Sequence, residues 1–162
     1  MWLIGPGTFN PCTILVLEEH RENCLWKPPS GSVEQGETPL VAAIRETEEE
    51  TGIVLVPQQA VLLEERTKHA RGYHIFYYVA RVSGRQMRQL RRRGKTGERT
   101  LRYPLRRLPY QLDEGLGPFE TPLLRGKGIL RDDLEFLKRV ANGEVISPIE
   151  SGYRYLPKWQ AA

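Results

Sequence analysis

The stretch Thr38–Ile53 constrains the fold more than any other part of the chain. Thr38-Pro39 puts a hydroxyl N-cap before a proline at the first helical position, where a missing N–H is no loss. Leu40, Ala43, Ile44, Thr47 and Thr51 recur at helical spacing and mark an inward face, and Gly52 supplies a left-handed cap. The helix predicted in this way breaks one rule. Glu46, Glu48, Glu49 and Glu50 crowd its last two turns. The helix dipole is negative there, and each carboxylate is unfavourable by roughly 0.3–1 kcal/mol. Glu46 and Glu50, four residues apart, add about 0.2–0.5 kcal/mol of repulsion. Glu46, Glu49 and Glu50 share an arc of about 100° away from the apolar face, with the small Ala42 beside them. Most acid runs are solvated faces. A local violation can instead mark a functional site, and the compensation that suits clustered carboxylates is a hard divalent cation such as magnesium.

The segments around this helix are short and sharply punctuated. Cys12–Glu18 reads as a buried strand, and Cys24-Leu25-Trp26 as a short partner stopped by Pro28-Pro29. Ser30–Glu37 is a loop, Ile53–Val56 and Ala60–Lys68 read as strands, and Tyr73–Val82 is the strongest strand pattern. A long basic loop leads to a strand at Arg99–Leu105. An irregular, proline- and glycine-rich stretch, Pro109–Gly128, comes before a second helix at Asp132–Asn142 with Leu134, Leu137 and Val140 inward. Strands that follow one another directly, with two helices, give an α+β layer sandwich. The length of 162 residues suits one domain, taken as 1–142 with a tail at 143–162. In that tail, Tyr153, Tyr155 and Trp159 stand among Lys and Arg.

Cys12 and Cys24 lie in apolar stretches and read as reduced core thiols, which favours a cytoplasmic setting. The longest aliphatic runs, Ile14–Leu17 and Ile53–Val56, are far short of the ~20 residues that span a bilayer. Met1–Pro6 is too short and too soon broken for a signal peptide. No membrane partner is expected, and composition sets no oligomeric state.

The net charge of +4 hides a polarity: Arg85–Arg107 contains ten basic residues and one acid, Glu98, which leaves the remainder at −5. Such asymmetry by itself points to an anionic partner: a phosphate-rich small molecule, nucleic acid or a membrane surface. Arg91, Arg92, Arg93 and Lys95, with Tyr73, are the substrate-binding candidates. RNA is admitted as a partner through the 85–107 segment, although Arg91-Arg92-Arg93 has no interleaved aromatics for base stacking. A solvated basic loop is the plain alternative.

Gly31, Glu37, Arg45-Glu46, Glu49-Glu50 and Gly52-Ile53 together resemble the signature of the Nudix hydrolase family, G-x5-E-x7-R-E-U-x-E-E-x-G-U, where U is a bulky, usually aliphatic residue. All seven fixed letters are present, and Thr47 at the first U position is the one departure. The resemblance implies an αβα sandwich with a mixed β-sheet. It also implies hydrolysis of a nucleoside diphosphate linked to another moiety, with magnesium or manganese. Glu46, Glu49 and Glu50 are then metal ligands, Glu46 is also a candidate base, and Gly31 offers its carbonyl. Arg45 orients a box glutamate, Glu37 braces the loop against the helix, and Gly52 is the cap. Many members carry a further acid late in the chain, and Glu98 is the candidate here. His20, His69 and His74 are read as structural or exposed.

Trp26-Lys27-Pro28-Pro29-Ser30-Gly31-Ser32-Val33-Glu34 resembles the W-x-P-P-K-G-H-V-E loop of asymmetrical diadenosine tetraphosphate hydrolases, with Ser30 and Ser32 in place of Lys and His. Lys68 stands where ADP-ribose enzymes carry proline, and the extra motifs of coenzyme A and NADH enzymes are missing. Nucleoside polyphosphates or dinucleoside polyphosphates are slightly favoured. The alternatives are an RNA 5′-end pyrophosphohydrolase and a non-enzymatic module that binds a phosphorylated ligand or nucleic acid. Retention of every box glutamate speaks against the module.

Overall fold

The computed structural model describes residues 1–6, 11–17, 25–68, 72–105, 129, 133 and 136–139. Its strands are β1 (Trp2–Pro6), β2 (Pro11–Leu17), β3 (Trp26–Lys27), β4 (Ala60–Lys68), β5 (Tyr73–Arg81) and β6 (Arg99–Pro104). Helix α1 (Pro39–Thr51) lies between β3 and β4, the short α2 (Gly84–Met87) follows β5, and residues 133 and 136–139 are helical. The sheet runs β3-β2-β1-β5-β4, with β6 antiparallel to β2 through all of Cys12–Leu17. β1 and β5 are parallel and the other pairs antiparallel, so the sheet is mixed.

Alternation along the strands builds two cores, because successive side chains leave opposite faces of a sheet. Trp2, Ile4, Leu15, Leu17 and Val79 pack with Phe136 and Leu137 of the late helix. Leu3, Cys12, Ile14, Tyr78 and Ala80 form the other core, with Leu40, Ala43 and Ile44 of α1 against them. The expected αβα sandwich is the observed architecture. Trp2 and Leu3 are fully buried, so the apolar start of the chain is a core strand that sequence reading did not assign. Burial pushes the Cys12 thiol up from its ordinary value, which keeps it an unreactive thiol.

Three expectations need correction. Ile53–Val56 keeps the alternation of a strand, with Ile53 and Leu55 buried and Val54 and Val56 exposed, yet it is not in the sheet. Glutamine side chains take its backbone groups instead. Val54 N–H donates to Gln89 Oε1 (3.4 Å), Gln86 Nε2 to the Val54 carbonyl (2.8 Å), and Val56 N–H to Gln59 Oε1 (3.1 Å). The strand expected at Cys24–Trp26 lies at Trp26–Lys27, ended by Pro28, and Cys24 is outside the described residues. The basic segment is not all loop. Ser83 and Gln86 form a capping box that starts α2, a Ser-x-x-Gln signal that was legible in the sequence.

Leu137 is buried as expected. Leu134, Val140, the 109–128 stretch and the tail 143–162 lie outside the described residues, as do His20 and His69. His74 is exposed on β5, 2.5 Å from Glu65 and stacked on Phe76. No helix among the described residues is long and apolar enough to cross a membrane.

Candidate active site

The loop before α1 is held by hydrogen bonds to its own neighbours. Glu37 N–H donates to the Glu34 carbonyl (3.1 Å), and Glu34 N–H returns a bond to Glu37 Oε2 (3.0 Å). Arg45, two turns into the helix, grips the same carboxylate through Nε (2.8 Å) and Nη2 (3.1 Å), and Nη2 also reaches the Ser32 carbonyl (3.0 Å). This two-pronged geometry suits a guanidinium and would be lost with lysine. It holds Glu37 below the ordinary carboxylate range. Arg45 Nη1 continues to Glu46 Oε1 (2.8 Å) and Glu49 Oε2 (3.2 Å). One side chain therefore connects the loop, the Glu37 carboxylate and the Glu46 and Glu49 carboxylates.

Glu46 lies against the loop so closely that a Cβ on Gly31 would fall 2.0 Å from its carboxyl carbon. Only glycine fits there. Glu50 is 4% exposed and accepts from Ser30 N–H (2.9 Å), with Lys27 Nζ 3.7 Å away. Burial pushes its carboxyl up to about 7, and Lys27 and Ser30 offset this only in part. Thr47, at the family's bulky position, is fully buried, and its hydroxyl donates to the Ala43 carbonyl (2.7 Å). With its polar atom satisfied, threonine is accommodated inside.

The C-terminal end of α1 receives a second loop, 88–98. Arg91 N–H donates to the Thr51 carbonyl (2.9 Å) and Lys95 N–H to the Glu49 carbonyl (2.7 Å), so two of the helix's terminal carbonyls are satisfied from outside. The Arg91 side chain lies over Gly52, whose φ of +78° makes it the left-handed cap expected. Lys95 Nζ is 3.4 Å from Glu48. Cationic side chains thus meet the negative end of the dipole, although the last turn itself carries no basic residue.

The same loop delivers Glu98. It is 7% exposed, its Oε1 accepts from the Thr96 hydroxyl, and its Oε2 is buried with no partner among the described residues. Gly94 separates it from the helix: a Cβ there would lie 2.6 Å from both Glu98 Oε2 and the Glu50 carbonyl. Gly94 was not singled out in the sequence, where Gly94-Lys95-Thr96-Gly97 reads as an ordinary turn.

The donor set suits a hard divalent cation in kind: carboxylates of Glu46, Glu49, Glu50 and Glu98, an orphaned carboxylate oxygen, and a glycine backbone pressed against Glu46. Among the described residues no three of these groups are drawn together as a finished metal site, and Arg45 holds Glu46 and Glu49.

A family model of the NUDIX domain matches residues 7–119. The chain belongs to the Nudix hydrolase family. Pyrophosphohydrolase, the enzyme class expected from the motif, goes with that membership, and Nudix hydrolases generally use divalent metal ions. Among solved structures, the chain is similar to a MutT/nudix family protein from Enterococcus faecalis (18% identity, TM-score 0.62, 88% of this chain and 59% of that one). It is also similar to the NUDIX domain of Shewanella oneidensis NrtR complexed with ADP ribose (17%, 0.60, 89% and 84%). A third likeness is to a C. elegans Ap4A hydrolase binary complex (22%, 0.50, 65% and 77%). These likenesses establish a shared fold. No curated protein sequence matches the chain.

In this Nudix chain the substrate-binding candidates are spread over several environments. Arg91 and Arg92 are exposed on the docked loop, Arg93 Nη1 donates to the Gly97 carbonyl (3.0 Å), and Lys95 pairs with Glu48. Tyr73 opens β5 opposite Lys68, and its side chain is outside the described residues.

Proposed function

We propose that this Nudix chain hydrolyses a phosphoanhydride bond in nucleoside polyphosphates or dinucleoside polyphosphates with magnesium or manganese. The observation that carries the reading is the meeting of two loops on the acid end of α1: one places Gly31 against Glu46, the other brings the unpartnered Glu98 oxygen to Glu50. Glu46, Glu49, Glu50 and Glu98, with the Gly31 carbonyl, would hold the metal. When bound, the ion lowers the pKa of water and neutralises the oxygens at the reacting phosphorus.

The protein's own part is to position and to collect protons. Arg45 fixes the Glu46 and Glu49 carboxylates, and Glu46 is the candidate base for the attacking water. Burial pushes the Glu50 carboxyl up to about 7, and a bound cation would lower it again and hold Glu50 in its charged, ligating form. The arginines of the docked loop face the charge of the phosphate chain, with Arg91, Arg92, Arg93 and Lys95 the substrate contacts. Tyr73 is retained as a further substrate contact. The domain is taken as 1–142 with a tail beyond it, and the free Cys12 supports a reducing, cytoplasmic setting.

The test is a hydrolysis panel with magnesium and product masses, spanning dinucleoside polyphosphates, nucleoside triphosphates, ADP-ribose and 5′-triphosphorylated RNA. Release of a nucleotide from the polyphosphates is expected. Binding of these compounds with every one left intact would favour a non-catalytic module, and cleavage of the RNA alone would favour the 5′-end enzyme.

A further inference from the structure

The eight cations between Arg85 and Arg102 fall into two groups. Arg93 bonds the Gly97 carbonyl, Lys95 pairs with Glu48, Arg102 bonds the Met87 carbonyl, and Arg99 also has a partner. Arg85, Arg88, Arg91 and Arg92 are exposed, and among the described residues their guanidinium groups have no hydrogen-bond or ion-pair partner. Four unpaired like charges within eight residues repel one another, in a chain that has acids elsewhere to spare. Arg85 and Arg88 are three residues apart and share one side of the α2 turn. Arg91 follows, lying over Gly52 at the carboxylate end of α1. Arg91 is thus placed at the carboxylate end of α1, and Arg85, Arg88 and Arg92 are close to it along the chain.

We infer that Arg85, Arg88, Arg91 and Arg92 form an anion subsite for the part of a phosphate chain that extends beyond the scissile bond, so that the site selects by phosphate number. Guanidinium forks match phosphate oxygens in pairs, and arginine fills all four places. A single diphosphate at the metal site would leave these four groups unused, whereas a longer chain brings one or more charges per added phosphate. The inference rests on the reading of the site as a phosphoanhydride hydrolase and names the feature of the substrate that it recognises.

The full chain, in magnesium-free buffer, is titrated calorimetrically with inorganic pyrophosphate, tripolyphosphate and a longer linear polyphosphate. Affinity is expected to rise roughly tenfold or more along that series. The Arg88→Gln/Arg92→Gln double variant, with an unchanged melting midpoint, is expected to cut the gain to below about threefold. Equal affinity for all lengths, or a double variant that keeps the whole gain, overturns the inference. ATP is compared with a 5′-triphosphorylated oligoribonucleotide in the same assay. A gain that follows nucleotide number and not phosphate number also overturns it, in favour of nucleic-acid backbone binding. Turnover of the same compounds, measured separately with magnesium, separates the two readings: length-dependent binding with no compound hydrolysed supports the subsite and sinks the hydrolase. Hydrolysis without length dependence does the reverse.

Discussion

The two ends of α1 are finished in opposite ways. At the start everything is local: Thr38 Oγ1 accepts from Val41 N–H (3.3 Å), Pro39 occupies the first turn, and the Glu34–Glu37 pair closes the loop just before it. At the end, the bonds to the Thr51 and Glu49 carbonyls come from Arg91 and Lys95, far along the chain. The difference shows how a helix can carry four carboxylates at its unfavourable end. That end is completed by a cation-bearing loop, and the same loop brings a further acid, so stabilisation and site assembly are one event.

The largest way to break this comparison is chemical. Glu49→Gln is expected to lower turnover roughly a hundredfold or more while thermal melting is unchanged, since each lost metal contact removes several kcal/mol from the transition state. Wild-type turnover would remove Glu49 from the metal set. Next comes the tertiary cap. Gly94→Ala forces a methyl against the Glu50 backbone and Glu98, and is expected to cost about 1–3 kcal/mol in denaturant unfolding, with loss of activity. The local cap is weaker: Thr38→Ala is expected to cost about 1 kcal/mol by the same measurement and to leave turnover near wild type. A larger effect at Thr38 than at Gly94 would invert the comparison.

The smallest effect is a pH limb. Glu37 is held below its ordinary value of 4.5, first by the Arg45 hydrogen bond and then by Glu34 N–H. Its contribution is therefore present above 4.5 and is lost as pH falls through the depressed value. Glu37→Gln is expected to flatten that acid limb in a stability–pH series, and an unchanged limb would show that the Glu37–Arg45 contact is without thermodynamic effect.

Much of the site was legible because it is local. Glu46, Glu49 and Glu50 share a face by helical period alone, and the spacing of Glu37 and Arg45 lets one side chain reach the other across two turns. Glu98 was readable as the single acid in a cationic segment and through the family resemblance, whereas the parts played by Gly94 and Ser30 were not readable. Their roles are contacts made across the fold with Glu50, which no local pattern encodes. Ile53–Val56 shows the opposite limit. Its alternation reports burial correctly, but burial on one side does not make a strand when glutamine amides, and not a neighbouring strand, receive its backbone.

By itself the sequence determined the helix, its cap residues, its carboxylate face and the family, because each is a matter of residue type at fixed spacing along the chain. The tertiary structure decided what surrounds that face. Among the described residues it sorted the basic segment into arginines that are paired and arginines that stand open, and it buried Glu50 and Glu98 together. Pairing and burial depend on which distant groups the sheet brings within a few ångströms, and charge counted along a chain carries no such distances.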